Sequence, residues 1–139
     1  MLTIDYVVEE FQVGVPQAIK MDTQGCELRI LQGGTRTLPK VDVLLLECWL
    51  TRAYGPTTPL LLEVADWLRQ FNFHLWDLSN PWRDDSGVMV SQDCLFLNAH
   101  SKVSRMKSEL PPPPSPVAPV IAPPREALLR RVKNFIHRR

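Results

Sequence analysis

The feature that most constrains the fold is an uninterrupted apolar run near the middle of the chain. Residues 41–47 read Val-Asp-Val-Leu-Leu-Leu-Glu, and their apolar side chains stand at consecutive rather than alternating positions. A strand with one solvated face alternates, whereas a strand covered on both faces is apolar throughout. A short buried helix is disfavoured by the length of the run and by Pro39 just upstream. The run therefore predicts a strand inside a mainly parallel sheet that helices cover.

The segments around this strand alternate between strand and helix patterns. Three more short strands are predicted, at residues 17–22, 73–78 and 93–98, the second of them from its alternating pattern. Two helices are predicted by apolar residues at helical spacing, at residues 24–33 and 58–71. We expect Thr58 to cap the second helix, with Pro59 in its first turn. The alternation predicts an α/β domain, and a loop without helical pattern at residues 79–88 predicts that the final two strands run antiparallel.

Charge and proline divide the chain near residue 100. Residues 1–100 hold 7 Lys and Arg against 13 Asp and Glu, a formal net charge of −6, while residues 101–139 hold 9 against 2, a net of +7. Eight of the 13 prolines lie in residues 111–124, a composition that favours extended, solvated chain. We therefore expect a folded domain over residues 1–100, a disordered proline-rich linker over residues 101–124, and a basic amphipathic tail over residues 125–139.

The composition also limits location and partners. No apolar run approaches the roughly 20 residues of a membrane span, and the N-terminus lacks a basic, secretory-type start. Cys26, Cys48 and Cys94 form no C-x-x-C pair, so we expect three reduced thiols and a cytoplasmic location. The tail is expected to bind an anionic membrane surface or a partner domain, with nucleic acid less favoured. His74 lies inside a predicted strand without a partner motif, so we interpret it as structural. His100 and His137 lack metal-ligand spacing, and we predict no metal site.

Two carboxylates stand where neighbouring strands are predicted to end. Asp22 ends the strand at residues 17–22, and Glu47 ends the strand at residues 41–47. In open α/β sheets ligands bind at the carboxyl ends of the strands, and adjacent strands lie about 4.8 Å apart. The pair can share a hard cation, supply a general base through a raised pKa, or orient a substrate hydroxyl. A helix-capping Asp22 beside an incidental Glu47 is the purely structural alternative.

The segment that contains Asp22 is the most specific part of the sequence. Residues 19–34 read IKMDTQGCELRILQGG, which resembles the FkbM-type methyltransferase pattern K-I-D-x-[EQ]-G-x-E-x-x-V-L-x-G-A. The resemblance continues over residues 1–98. Its further elements are Thr3-Ile4-Asp5, Val43–Glu47, Ala53-Tyr54-Gly55, Phe71-Asn72-Phe73 and Gln92–Leu97. Gln24 stands where relatives often carry an acid, and a glutamine cannot take up a proton.

The resemblance implies a fold, a cofactor and a set of site residues. It implies strands four to seven of a doubly wound, Rossmann-like class I methyltransferase sheet, the last strand antiparallel. The implied reaction is transfer of a methyl group from S-adenosylmethionine (SAM) to a hydroxyl of a small molecule or glycan. By resemblance, the catalytic residues are Asp22 and Glu47. The implied cofactor-binding residues are Asp22, Thr23, Gln24 and Gly25. The implied substrate-binding residues, which we expect in loops, are Tyr54, Trp82 and Arg83.

The sequence shown does not contain the glycine-rich turn with which such enzymes hold the methionine end of SAM. Gly33-Gly34 ends a predicted helix instead, and Gly14 stands alone. A completing chain, or a second copy joined through the exposed edge of the first strand, is therefore an expected partner. The alternative interpretation is a non-catalytic methyltransferase remnant that serves as an interaction module, because an open strand edge favours association.

Overall fold

A computed structural model describes residues 2–102, which form an open four-stranded sheet with helices. The strands are β1 (Ala18–Met21), β2 (Val43–Trp49), β3 (Phe73–Arg83) and β4 (Met89–Asn98). The helices are α1 (Ile4–Glu10), α2 (Glu27–Gln32) and α3 (Leu61–Leu68), with 3-10 turns at Leu38–Lys40 and Arg69–Phe71. No helix in this described part is long and apolar enough to cross a membrane. The predicted tail and nearly all of the predicted linker lie outside the described residues.

The sheet has the order β1-β2-β4-β3. β1 and β2 run parallel, with Ala18 opposite Val43, while β4 runs antiparallel to both of its neighbours. A parallel pair needs a crossover, and α2 supplies it between β1 and β2. All four strands predicted from the sequence are present, and the antiparallel final pair is confirmed. The resulting mixed α/β sheet is consistent with a Rossmann-like methyltransferase fold.

The described helices cover one face of the sheet. Alternate residues of β2 (Leu44, Leu46 and Cys48) are fully buried in the main apolar cluster, together with Leu31 of α2 and Val64 of α3. The intervening residues of β2, from Val43 to Glu47, are only partly buried. The expectation of a strand covered on both faces is therefore met on one face only, because no described helix packs against the other.

The first helix was not predicted from the sequence. Thr3 caps it by accepting a hydrogen bond from the Tyr6 amide (3.1 Å), and Ile4 packs against the main apolar cluster. The buried Asp5 carboxylate accepts hydrogen bonds from the Thr37 amide (2.9 Å) and hydroxyl (2.7 Å) and from the Arg36 amide (3.1 Å). Asp5 therefore attaches α1 to the segment that follows α2.

Two predicted helix starts are wrong by three residues each. The helix predicted from residue 24 begins at Glu27, because Gln24 and Gly25 have positive φ angles of 54° and 90°. The helix predicted from Thr58 begins at Leu61, and its first turn is closed by Glu63, which accepts a hydrogen bond from the Leu60 amide (2.8 Å). The Thr58 hydroxyl caps nothing there and accepts instead from the Tyr54 amide (3.1 Å).

The loop predicted at residues 79–88 is mostly a β-hairpin. β3 continues to Arg83, and the turn that follows is closed by Asp84, whose Oδ1 accepts from the Ser86 and Val88 amides (2.9 and 3.0 Å). Asn, Pro and Gly in this stretch indicated a loop. Asn80 instead lies within β3, where it has a positive φ of 50° at an irregularity of the strand pair. The placement of Trp82 and Arg83 in a loop was therefore wrong, since both lie at the end of β3.

Candidate functional site

The two predicted carboxylates meet at the carboxyl ends of the parallel strands. Met21 pairs with Leu46, so Asp22 and Glu47 follow as the next neighbours across the sheet. The Gln24 side chain lies between them, with its amide nitrogen 3.1 Å from Asp22 Oδ1 and 3.5 Å from Glu47 Oε2. Lys20 stands 3.5 Å from the other oxygen of Asp22. One amide thus links both acids in a single site.

Glu47 has an environment that disfavours its charge. Burial is the main reason that its pKa is raised from the ordinary value, and the nearby Asp22 charge raises it further. The Ser91 hydroxyl donates to Glu47 Oε1 (2.9 Å) and partly offsets both effects. A carboxylate with a raised pKa is a better general base near neutral pH than an ordinary one.

The loop between β1 and α2 is organised by Glu27. The carboxylate of Glu27 is buried, and its Oε1 accepts hydrogen bonds from the Thr23 amide (2.9 Å), the Thr23 hydroxyl (3.0 Å) and the Gly25 amide (3.3 Å). Gly25 has a φ of 90°, and a Cβ there would stand 3.2 Å from the methyl group of Thr58. These contacts fix the backbone that carries Gln24.

The loop after β2 places Tyr54 over the same site. Arg52 donates to the Thr58 carbonyl (2.6 Å) and forms an ion pair with Glu63, which fastens both ends of the loop to the start of α3. The Tyr54 hydroxyl donates to the side-chain oxygen of Gln24. Gln24 therefore connects an exposed tyrosine with both carboxylates.

Three aromatic rings lie beside the carboxylates. The ring of the buried Trp49 is 4.8 Å from that of Tyr54 and 6.3 Å from that of Trp82, and both neighbours stand nearly perpendicular to it. The structure thus brings two of the three predicted substrate-binding residues together. The third, Arg83, donates instead to the Gly87 carbonyl of the hairpin turn (3.0 Å).

Three further residues of this site were not predicted from the sequence. Glu27 lies inside the motif of residues 19–34, and its carboxylate holds the loop. Strand alternation could have identified Ser91. This residue stands two positions before Asp93, on the face of β4 that Glu47 shares. Trp49, opposite Ser91, gave no separate signal, since it continues the apolar run.

Neither a metal cluster nor the main cavities coincide with the carboxylate pair. Among residues 2–102, no group of three His, Cys, Asp or Glu side chains is placed to hold a metal ion. A cavity of about 450 Å³ lies between α2 and the loop before α3, and its lining includes Gly25, Cys26 and Pro59. Asp22 and Glu47 are not among the residues that line this cavity.

A comparison with known families agrees with the resemblance seen in the sequence. The profile of the methyltransferase FkbM domain matches residues 1–75, just over half of the 139 residues. No curated protein and no solved structure matches the chain. The matched segment contains α1, the loop held by Glu27, both carboxylates and α3. The chain therefore belongs to the FkbM methyltransferase family.

Proposed function

We propose that this chain forms the C-terminal part of a SAM-dependent O-methyltransferase domain, with Asp22 and Glu47 beside the reacting hydroxyl. The observation that carries the proposal is the convergence of these two acids, joined by Gln24, at the ends of adjacent parallel strands in a chain of this family. The strand order supports it, since β1, β2, β4 and β3 follow one another as strands four, five, seven and six do in a class I methyltransferase sheet.

The residues at this edge fit the reactive end of SAM by their charge. The sulfonium of SAM is a cation, and Glu47 has no ion-pair partner among the described residues, while Asp22 has only the exposed Lys20 at 3.5 Å. When bound, SAM supplies an electrophilic methyl group on sulfur. Asp22 and Glu47 would hold the sulfonium by its positive charge, and the fixed backbone at Thr23–Gly25 would allow close approach.

The chain's own residues would then align the acceptor and take up its proton. Asp22 orients the hydroxyl of the acceptor, and Glu47 accepts the proton of that hydroxyl. At the same time the acceptor's oxygen forms the new bond to the carbon of the methyl group. SAM would supply that methyl group, and its sulfur would keep the electron pair of the broken carbon–sulfur bond. Ser91 and Gln24 hold the Glu47 carboxylate in place, so that most of the rate gain comes from positioning.

The proposal is tested first by thermal unfolding of the full chain with and without excess SAM. A ligand at 100 times its dissociation constant adds about 2.7 kcal/mol to the folded state, which raises the midpoint of a domain of this size by about 10 °C or more. Asp22→Asn should reduce the rise, whereas Asp66→Asn on the outer side of α3 should leave it unchanged. A cooperatively unfolding sample whose midpoint does not move contradicts a SAM site in this chain.

The alternative function is an interaction module. It is favoured by β1, which has β2 as its only strand neighbour among the described residues, and by the sheet face that no described helix covers. Under this alternative, SAM leaves the unfolding midpoint unchanged while sedimentation shows association that depends on concentration. A chain that stays monomeric and responds to SAM excludes it.

A further inference from the structure

The aromatic cluster of Trp49, Tyr54 and Trp82 is the part of the site that the transfer reaction itself does not use. Tyr54 and Trp82 are each 54% exposed, although large aromatic side chains gain free energy when they are covered. Both pack edge to face on the buried Trp49 ring, at 88° and 76°. The cluster therefore holds two open ring surfaces in fixed orientations at the edge of the sheet.

The carboxylate nearest these rings has no ion-pair partner among the described residues. Glu47 lies two residues before Trp49 on β2, and Ser91, which donates to Glu47, stands opposite both Trp49 and Trp82. The two cations nearest in sequence have other partners, since Arg83 donates to the Gly87 carbonyl and Arg52 forms an ion pair with Glu63. Within residues 2–102 no ion pair compensates Glu47, so the exposed rings adjoin uncompensated negative charge.

We infer that the acceptor carries a positively charged nitrogen close to the hydroxyl that is methylated, and that Tyr54 and Trp82 hold this nitrogen. The faces of aromatic rings attract cations, and quaternary ammonium groups are recognised by cages of such rings. A protonated or quaternary amine also compensates the charge of Glu47, which a neutral polyol or a hydrocarbon does not. The inference rests on the proposed function, because it names the acceptor class for the same site.

An unmet hydrogen-bond donor in the cluster supports an acceptor that also bears oxygen. The indole N–H of Trp49 is buried and has no acceptor among the described residues. A buried donor without a partner loses its hydrogen bond to water and gains none in return. We expect the hydroxyl oxygen of an amino alcohol bound at these rings to supply the acceptor that this donor lacks. A cationic nitrogen and a neighbouring oxygen together define an amino-alcohol type of acceptor.

The test compares a cation with its neutral isostere on the full chain. Choline and 3,3-dimethylbutan-1-ol have the same shape and differ in charge, and their binding is followed by ligand-observed NMR without SAM. We expect choline to bind about tenfold more tightly than the alcohol. Trp82→Leu should weaken choline binding about tenfold and Trp82→Phe should restore most of it, while Phe11→Leu, a matched change on α1's exposed end, should leave it unchanged.

Each outcome separates the inference from the proposed function. Equal binding of choline and the alcohol, or no binding of either, overturns the inference whatever SAM does. A SAM-dependent rise in the unfolding midpoint without choline binding leaves the methyltransferase proposal standing alone. Displacement of choline by SAM, but not by S-adenosylhomocysteine, assigns the rings to the sulfonium and also overturns the acceptor assignment. Binding of choline and SAM together supports both.

Discussion

The hydroxyl of Ser91 donates a 2.9 Å hydrogen bond to Glu47 across the boundary between β4 and β2. Because these strands are antiparallel, the bond ties a residue near the start of β4 to a residue near the end of β2. Two opposing influences thereby meet on one carboxylate: burial and Asp22 raise its pKa, and Ser91 lowers it. The balance determines how the carboxylate responds to pH.

Glu47→Gln should stabilise the folded chain at neutral pH. A carboxyl group whose pKa is raised on folding binds its proton more tightly in the folded state, so the stability it contributes falls as pH rises from its ordinary value of 4.5 through the raised pKa. Glutamine keeps the acceptor for Ser91 and carries no charge. At pH values above that window, we expect Glu47→Gln to raise the free energy of unfolding by less than about 1 kcal/mol. The effect is small because solvent screens the charge of a partly exposed group. Urea unfolding between pH 4 and pH 7.5 measures it.

Glu63→Gln provides a control with the opposite sign. The hydrogen bond from Arg52 is the main reason that the pKa of Glu63 is lowered, so removing its charge should destabilise the fold at neutral pH. The loss disappears as pH falls below the ordinary value. If both variants destabilise the fold at pH 7, the assignment of a raised pKa to Glu47 is wrong.

Gly25→Ala should destabilise the fold by about 1–2 kcal/mol. A residue with a Cβ pays this order of free energy at a φ of 90°, and the new methyl group would meet Thr58 at 3.2 Å. Because Gly25 donates to Glu27, the change also loosens the loop that carries Gln24. Chemical denaturation measures the loss, and a smaller SAM-induced rise in the unfolding midpoint should accompany it.

Two other glycines separate backbone strain from the contact with Thr58. Gly55 has a φ of 104° with open space around its Cβ position, so Gly55→Ala should cost only the strain. Gly14 has neither a positive φ nor a neighbour within 4 Å, so Gly14→Ala should change stability by less than about 0.5 kcal/mol. Equal losses at Gly14 and Gly25 would contradict a special role for the loop.

The strands and the convergence of Asp22 and Glu47 were predictable because they depend on short-range patterns. An apolar run defines β2, and an acid at the end of each parallel strand places both acids at one edge. The first residues of α2 and α3 were not predictable, because the apolar spacing extends beyond each of these helices. Glu27 and Glu63 bind backbone amides just upstream of each helix, and those bonds decide where the helix begins.

Contacts between distant segments could not be read from the sequence. Asp5 binds Thr37 across 32 positions, and Ser91 binds Glu47 across 44. No local pattern identifies such a pair, because residues of these types are also common on solvated surfaces. The aromatic cluster has the same origin, since Trp82 reaches Trp49 only through the hairpin that extends β3 beyond its predicted end.

Asp5→Ala should release α1 from the domain and cost about 1–3 kcal/mol, because Thr37 and Arg36 lose a buried acceptor. Burial alone would raise the pKa of Asp5, but the hydrogen bonds from Thr37 and Arg36 outweigh it and lower the pKa from 3.8. The stability it contributes is therefore present above the ordinary value and is lost as pH falls through the folded pKa. Hydrogen exchange in α1 measures the release, and Glu10→Ala, on the exposed end of α1, is the control. Unchanged protection of α1 in Asp5→Ala would show that α1 is held by its apolar contacts alone.

Gln24→Glu should turn the linking amide into a third negative charge. The substitution removes the donors to Asp22 and Glu47 while keeping an acceptor for the Tyr54 hydroxyl. Repulsion then raises the pKa of Glu47 further, and the fold loses up to about 1 kcal/mol at pH 7 but almost nothing near pH 4, where carboxyl groups take up protons.

Gln32→Glu adds the same charge on the exposed side of α2 and should cost less. Carbon-13 NMR titration of the Glu47 carboxyl group follows the pKa directly. A Glu47 pKa that stays the same in Gln24→Glu would mean that the three side chains do not form one electrostatic unit, and the site would then reduce to two independent acids.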